Sequence, residues 1–295
     1  MWHVTLILAL ALTIVSPALA EMELPWGGDI PREDCELSVG GVWSEYEGGA
    51  DCLRYFASPG IDDSAVVIIV LRGDRDTWVG RKPEDIPHNT PSAQTELAAE
   101  LAEEMGFPVI VLSRPGTFGS GGDHLRRRQP EEFLALAGAL DDIRADHRIG
   151  RFVLLGHSGG ATAAAALLTL GRDDIACAVL TSGAFDLLER AEALRAAQGR
   201  RSRPGLDLTG LPHPYDPLEY LDGIVNDTQR PIILIGNRTD QVTPFHFQRR
   251  FYEGLIARGH RAELREAAAR PPNFHNLLGK PGTRAAAECA GEVRP

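Results

Sequence analysis

The strongest chemical signal in the sequence is Gly156-His157-Ser158-Gly159-Gly160, a Gly-x-Ser-x-Gly string. A serine hydroxyl alone is a poor nucleophile; it becomes one beside a base that takes its proton and an acid that orients that base. The string gains weight from its surroundings. Phe152 to Gly156 reads as a buried strand, and Gly159 to Leu170 as an Ala-rich helix. A serine on a sharp strand-to-helix turn is held in strained backbone, clear of the sheet. The free N–H groups and positive end of the helix then point at the same spot. A plain Gly-rich turn would leave the serine without chemistry, so partners are needed elsewhere in the chain.

The acid candidate is Asp240, in Gly236-Asn237-Arg238-Thr239-Asp240-Gln241-Val242-Thr243-Pro244. It follows one apolar run and precedes a helical one, which puts it at the C-terminal edge of a strand, where open α/β sheets bind ligands. Asp186, after the run ending at Thr181, is the rival. The base candidate is His275, in Asn273-Phe274-His275-Asn276, beyond the last strand. His246 falls inside a helix, His260 precedes the last strand at its wrong end, and His157 is expected to point away from the serine.

These residues need a frame, and the hydropathy pattern supplies one. Gly41–Glu47 and Asp51–Ser58 read as two strands turning at Gly48-Gly49. Strands at 65–71, 108–113, 152–156, 175–181, 231–236 and 261–267 then alternate with helices opening at Pro91 and running over 130–146, 159–170 and 244–258. A last helix is expected over about His275–Ala290. Apolar strands alternating with helices imply a mostly parallel sheet, here eight-stranded, covered on both faces. Residues 184–230 interrupt the alternation before the penultimate strand. They read as a short lid-like insertion within a single domain spanning 21–295.

The order Ser, Asp, His along the chain, on these elements, resembles the α/β-hydrolase superfamily over roughly residues 38–290. From Tyr215-Asp216-Pro217-Leu218-Glu219-Tyr220 through Pro231–Gly236 to Asp240, the chain loosely resembles the prolyl-oligopeptidase-like (dienelactone-hydrolase-like) serine hydrolases. The resemblance implies Ser158 as nucleophile, Asp240 as acid and His275 as base. The oxyanion would rest on the Gly159 N–H and a backbone donor at Gly73 or Asp74. Two departures stand out. The family commonly has His-Gly after the third strand, whereas this chain has Arg72-Gly73-Asp74. A carboxylate at Asp74 must then point away from the oxyanion or pair with Arg72 or Arg75. No room exists for the β-propeller of true oligopeptidases. The glycine-rich Ser113–Gly122 stretch is not followed by Gly-Lys-Ser/Thr, so it is no phosphate loop. It is expected to border the site, with Arg114 a candidate for holding a substrate carboxylate.

Composition narrows the partners. The formal charge of −11 and the shortness of the basic runs disfavour nucleic acid. Val4 to Val15 is too short an apolar run to span a bilayer. With Ala18-Leu19-Ala20 behind it, the segment 1–20 reads as a secretory signal peptide, although no Lys or Arg precedes the run. An uncleaved anchor is the alternative. Export to a periplasmic or extracellular space permits disulfides. Cys35 and Cys52 flank a hairpin-like stretch and are expected to pair; Cys177 with Cys289 is left open. No zinc or dithiol spacing occurs, and the chemistry needs no metal or cofactor. The reading is an exported serine hydrolase cleaving an ester or amide through an acyl-enzyme, its substrate a small molecule or short peptide. A peptidase rather than an esterase, or a non-catalytic binding protein on the same fold, are the alternatives.

Overall fold

Val66–Leu71 (β3) is apolar and buried at every position, which a strand achieves only when both faces of its sheet are covered. Its residues divide by parity. Val67, Ile69 and Leu71 join one core cluster, whereas Val66, Ile68 and Val70 join another on the opposite face. The same two-sided burial holds for Val109–Leu112 (β4), Ile175–Thr181 (β6) and Ile232–Gly236 (β7). Arg151–His157 (β5) is buried throughout except at Arg151.

The computed structural model describes residues 22–293; the signal-peptide expectation for residues 1–20 lies outside the described residues. Gly41–Tyr46 (β1), Gly49–Ala57 (β2) and Ala262–Glu266 (β8) complete an eight-stranded sheet of order β1-β2-β4-β3-β5-β6-β7-β8. β1 and β2 are antiparallel to their neighbours, and β3 to β8 run parallel. This is the expected mostly parallel sheet with helices on both faces.

Pro91–Met105 (α2) and Thr283–Glu292 (α7) pack on one face. Pro130–His147 (α3), Gly159–Thr169 (α4) and Phe245–Ala257 (α6) pack on the other. Thr90 Oγ1 accepts the Ala93 N–H at 3.3 Å and Pro91 opens α2, the pairing that suits a helix start. Because β4 lies on one side of β3 and β5 on the other, strand order reverses at β3. The crevice between the C-terminal ends of β3 and β5 is the place where such sheets bind ligands.

Two local expectations are corrected. The last helix begins at Thr283 rather than near His275. Residues 278–282 form a wide turn containing Gly279, Pro281 and Gly282, residues poorly suited to an α-helix interior. A short helix, Arg32–Leu37 (α1), precedes β1; its polar sequence carries no apolar stripe to betray it. Within residues 184–230, Leu187–Ala197 (α5) is followed by a loop that Arg195 staples, its guanidinium donating to the carbonyl oxygens of Leu206, at 2.8 Å, and Asp207.

The structure links Cys35 of α1 to Cys52 of β2, 17 residues apart, and Cys177 of β6 to Cys289 of α7, 112 residues apart. Among the described residues no helix is long and apolar enough to cross a membrane. Closing the shorter loop is worth about 3 kcal/mol in the chain-entropy account. Replacing Cys35 and Cys52 by serine should therefore lower unfolding free energy in urea by about that amount. Non-reducing peptide mapping of oxidised protein should recover the two cysteines in one cross-linked pair; recovery of both as free thiols would refute the link.

Candidate active site

The turn that carries Ser158 is shaped by how closely α4 approaches the sheet. A Cβ added at Gly160 would lie 2.0 Å from the Leu71 carbonyl oxygen, and one at Gly156 would lie 2.5 Å from that of Gly160. Only glycine fits at both positions. Between them Ser158 has φ 54° and ψ −120°, a strained conformation for a side-chain-bearing residue. The strain is held from both ends: the Ser158 N–H donates to the Thr181 carbonyl at 2.9 Å, and Thr162 Oγ1 donates to the Ala184 carbonyl at 2.7 Å. The Gly159 N–H, first in α4, is among the donors a helix start leaves without an intrahelical partner.

Asp240 and His275 are brought together from different loops. His275 Nδ1 lies 2.8 Å from Asp240 Oδ2, and the Asp240 side chain is fully buried. The N–H groups of Val242 and Thr243 each donate to Asp240 Oδ1 at 2.8 Å, and Thr243 Oγ1 lies 2.9 Å from Oδ2. Burial alone would raise the Asp240 carboxyl, but the His275 hydrogen bond, the imidazole's charge and these N–H groups outweigh it and hold the carboxyl below its usual value. The His275 backbone is pinned as well, its carbonyl accepting from Ser182 Oγ at 2.6 Å. With Nδ1 engaged by Asp240, Nε2 is buried and has no hydrogen-bond partner among the described residues. No hydrogen bond joins it to Ser158 in the structure.

His157 connects the two halves. Its ring centre lies 5.0 Å from that of His275, and its Nδ1 lies 3.0 Å from Thr181 Oγ1. Burial, reinforced by the His275 charge, pushes His157 down to about 3, so it is neutral at physiological pH. Asp186 does not reach the histidine; its carboxylate pairs with Arg250. Arg190, on α5, donates to the Val242 carbonyl at 2.8 Å and ties α5 to the loop that bears Asp240. Thr243 and Ser182 escaped the sequence reading. Neither stands out from other loop hydroxyls until the fold lays them beside Asp240 and His275.

Across the crevice, a Cβ at Gly73 would lie 3.0 Å from Ser158 Cβ. The Asp74 side chain neither points away from the turn nor pairs with Arg72 or Arg75. Its Oδ1 would be 1.9 Å from a Cβ at Gly159, so the carboxylate packs directly on that glycine. Its partners are Arg114 at 2.8 Å, Arg127 at 3.4 Å, and Arg128. Arg114 also binds Glu132 at 2.6 Å and is 3% exposed. It is therefore committed to structure, which corrects its suggested role in holding a substrate carboxylate. Burial would raise the Asp74 carboxyl; the Arg128, Arg114 and Arg127 charges overcome this and hold it well below the carboxylate range. A cavity of about 540 Å³ beyond this cluster is lined by Trp26, Tyr46, Asp51 and His124 but not by Ser158, Asp240 or His275. No group of three or more potential metal ligands occurs among the described residues.

A family model described as alpha/beta hydrolase fold matches residues 86–204. No curated protein sequence matches the chain significantly. Among solved structures, an esterase of Pyrococcus furiosus superposes with a TM-score of 0.60 at 18% identity, over 93% of this chain and 98% of that one. Butyrivibrio proteoclasticus Est1E with bound ferulic acid gives 0.54 at 14% identity, over 84% and 96%. The acylaminoacyl peptidase of Pyrococcus horikoshii gives 0.50 at 14%, over 85% of this chain and 39% of that one.

Removing the Asp74 carboxylate would leave Arg114 and Arg128 facing each other without it. Asp74→Ala should cost about 3–5 kcal/mol of unfolding free energy in urea. Because the folded carboxyl titrates below its unfolded value, its stabilisation is complete above the ordinary carboxylate range and is lost as pH falls through the folded value. Acid unfolding of Asp74→Asn should accordingly be shallower than that of the wild type; identical acid profiles would show that the cluster contributes nothing.

Proposed function

We propose, from its membership of the α/β-hydrolase superfamily, that this chain is a serine hydrolase acting on an ester or amide. The observation that carries the reading is the buried Asp240–His275 pair, 2.8 Å apart, beside a strained serine turn. Ser158 Oγ attacks the substrate carbonyl carbon as His275 Nε2 takes its proton, and the carbonyl π electrons move onto oxygen. Asp240 keeps the proton of the neutral imidazole on Nδ1 and stabilises the imidazolium. The oxyanion is received by the Gly159 N–H and a backbone N–H at Gly73 or Asp74. Collapse breaks the bond to the leaving alcohol or amine, which departs with the proton from His275. Water, deprotonated by the same histidine, then attacks the acyl-enzyme and releases acid and free serine. The Asp74 side chain acts as a positioning group: tied to three arginines, it holds the loop after β3 against Gly159.

Two disulfides, together with the apolar run and small-residue cleavage pattern in residues 1–20, support export into an oxidising compartment. The insertion at 184–230, anchored to the acid loop through Arg190, borders the site as a short lid. Similarity to both an esterase and a peptidase leaves the scissile bond an ester or an amide.

Ser158→Ala should abolish stoichiometric labelling by a fluorophosphonate and reduce ester turnover by at least about 10³-fold, with its circular dichroism unchanged. Absence of labelling in the wild type would favour a non-catalytic binding protein. The acids separate in a parallel comparison on one activated ester. Asp240→Asn should lower kcat by up to about 10⁴-fold through the wrong imidazole tautomer, while Asp186→Asn, which loses only an exposed pair with Arg250, retains most activity. The reverse pattern would move the acid to Asp186.

A further inference from the structure

The loop after β3 places four charged residues within five positions, Arg72, Asp74, Arg75 and Asp76; Asp76 is engaged by Arg127. Asp74 is consumed by Arg114, Arg127 and Arg128, and Glu132 by Arg114. Arg72 and Arg75 are thereby left without an ion-pair partner among the described residues. Each lies over an aromatic face instead, Arg72 at 3.9 Å from the Phe118 ring centre and Arg75 at 4.9 Å from that of Trp78. Stacking satisfies the guanidinium face but not its in-plane donors. Arg72 Nη2 and Arg75 Nε are buried and have no acceptor among the described residues. Buried charged donors without acceptors are costly. The like charge of Arg75 adds to burial in pushing Arg72 down to about 9, which leaves it a cation at neutral pH.

These groups flank Gly73, whose added Cβ would sit 3.0 Å from Ser158 Cβ. A small void of about 10 Å³ lies behind this loop among Arg72, Gly73, Arg75, Arg114, Phe118 and His124, room for a single oxygen atom. The Arg75 charge is felt at His157, where it disfavours protonation. In a chain of formal charge −11, Arg72 and Arg75 are two cations without an ion pair among the described residues, on the loop whose Gly73 packs against Ser158. A planar guanidinium edge matches a carboxylate better than any neutral group.

Resting on the serine-hydrolase reading, we propose that the substrate carries an anionic group, a carboxylate, near its scissile carbonyl, and that Arg75, with Arg72 beside it, receives that group. The subsite selects anionic esters or amides over neutral isosteres.

The test uses matched 4-nitrophenyl esters: the monoester of glutarate, with its carboxylate on the acyl side, against the same compound as its methyl ester. A second pair, the butyrate ester of 4-hydroxybenzoate against that of methyl 4-hydroxybenzoate, puts the charge on the leaving side. Wild-type kcat/KM should favour the charged member of one pair by about ten- to hundredfold, the scale of a charge-assisted hydrogen bond. Arg75→Gln, which keeps a planar polar side chain but removes the charge, should collapse that ratio toward one. Arg75→Lys should retain much of it, and the exposed Arg284→Ala should leave it unchanged. The pair that responds tells which side of the scissile bond faces Arg75. Hydrolysis of neutral and charged members at equal rates, or an unchanged ratio in Arg75→Gln, would overturn the subsite while leaving the hydrolase reading intact. If no ester turns over and no fluorophosphonate reacts, the hydrolase reading fails instead. The subsite is then decided by calorimetric titration with glutarate: binding weakened at least tenfold in Arg75→Gln upholds it, and no binding to the wild type ends it.

Discussion

Helix α4 lies so close to the ends of β3 and β5 that no side chain fits at Gly156 or Gly160, and the rest of the site depends on that approach. It forces the chain to turn within one residue, so Ser158 takes the left-handed, strained conformation. The same approach brings the first N–H groups of α4 to the crevice where strand order reverses. Neither the turn nor the donors could be kept if the helix withdrew by the radius of a methyl group. The packing that resists withdrawal is extensive, since every residue of α4 is buried.

Charge organises the second layer. Asp74 packs on Gly159 because Gly159 has no Cβ, and it stays ionised there because Arg114, Arg127 and Arg128 converge on it. Burying that many charges is expensive unless they are paired and hydrogen-bonded. The cluster therefore locks the loop after β3 in one position, which a flexible glycine-rich loop would not achieve. It also makes Arg72 and Arg75 conspicuous: with Asp74 and Glu132 engaged elsewhere, these two guanidinium groups stack on aromatic faces and have no ion pair among the described residues.

The Asp240–His275 pair is built differently. Asp240 is held by backbone N–H groups of its own loop, so its position is a local property. His275 is held by long-range contacts, Ser182 to its carbonyl and Asp240 to its ring. Its loop carries no regular structure until Leu278. The histidine is thus positioned by tertiary contacts, with its free ring nitrogen turned into buried space beside His157.

How much of this was legible beforehand follows from the range of the forces involved. Strand and helix alternation, the sharp Gly-x-Ser-x-Gly turn and the cap at Thr90 are written in local periodicity and steric demands, so the order and type of most elements could be read from the residues alone. The pairing of His275 with Asp240 was legible only as a candidate, from positions at strand ends; Asp186 met the same criterion until Arg250, 64 residues away in sequence, engaged it. The start of α7 at Thr283 was legible from Gly279, Pro281 and Gly282, poor residues for a helix interior that the expected helix over His275–Ala290 ran through. The partners of Asp74 were misassigned because its neighbours in sequence, Arg72 and Arg75, were the nearest cations on paper. Sequence by itself determined most of the elements, the Gly-x-Ser-x-Gly turn and the short list of candidate acids and bases. Only the tertiary structure decided which charges meet, because ion pairing in a buried site depends on distance through space, and the chain separates Asp74 from Arg128 by 54 residues while the fold brings them into contact.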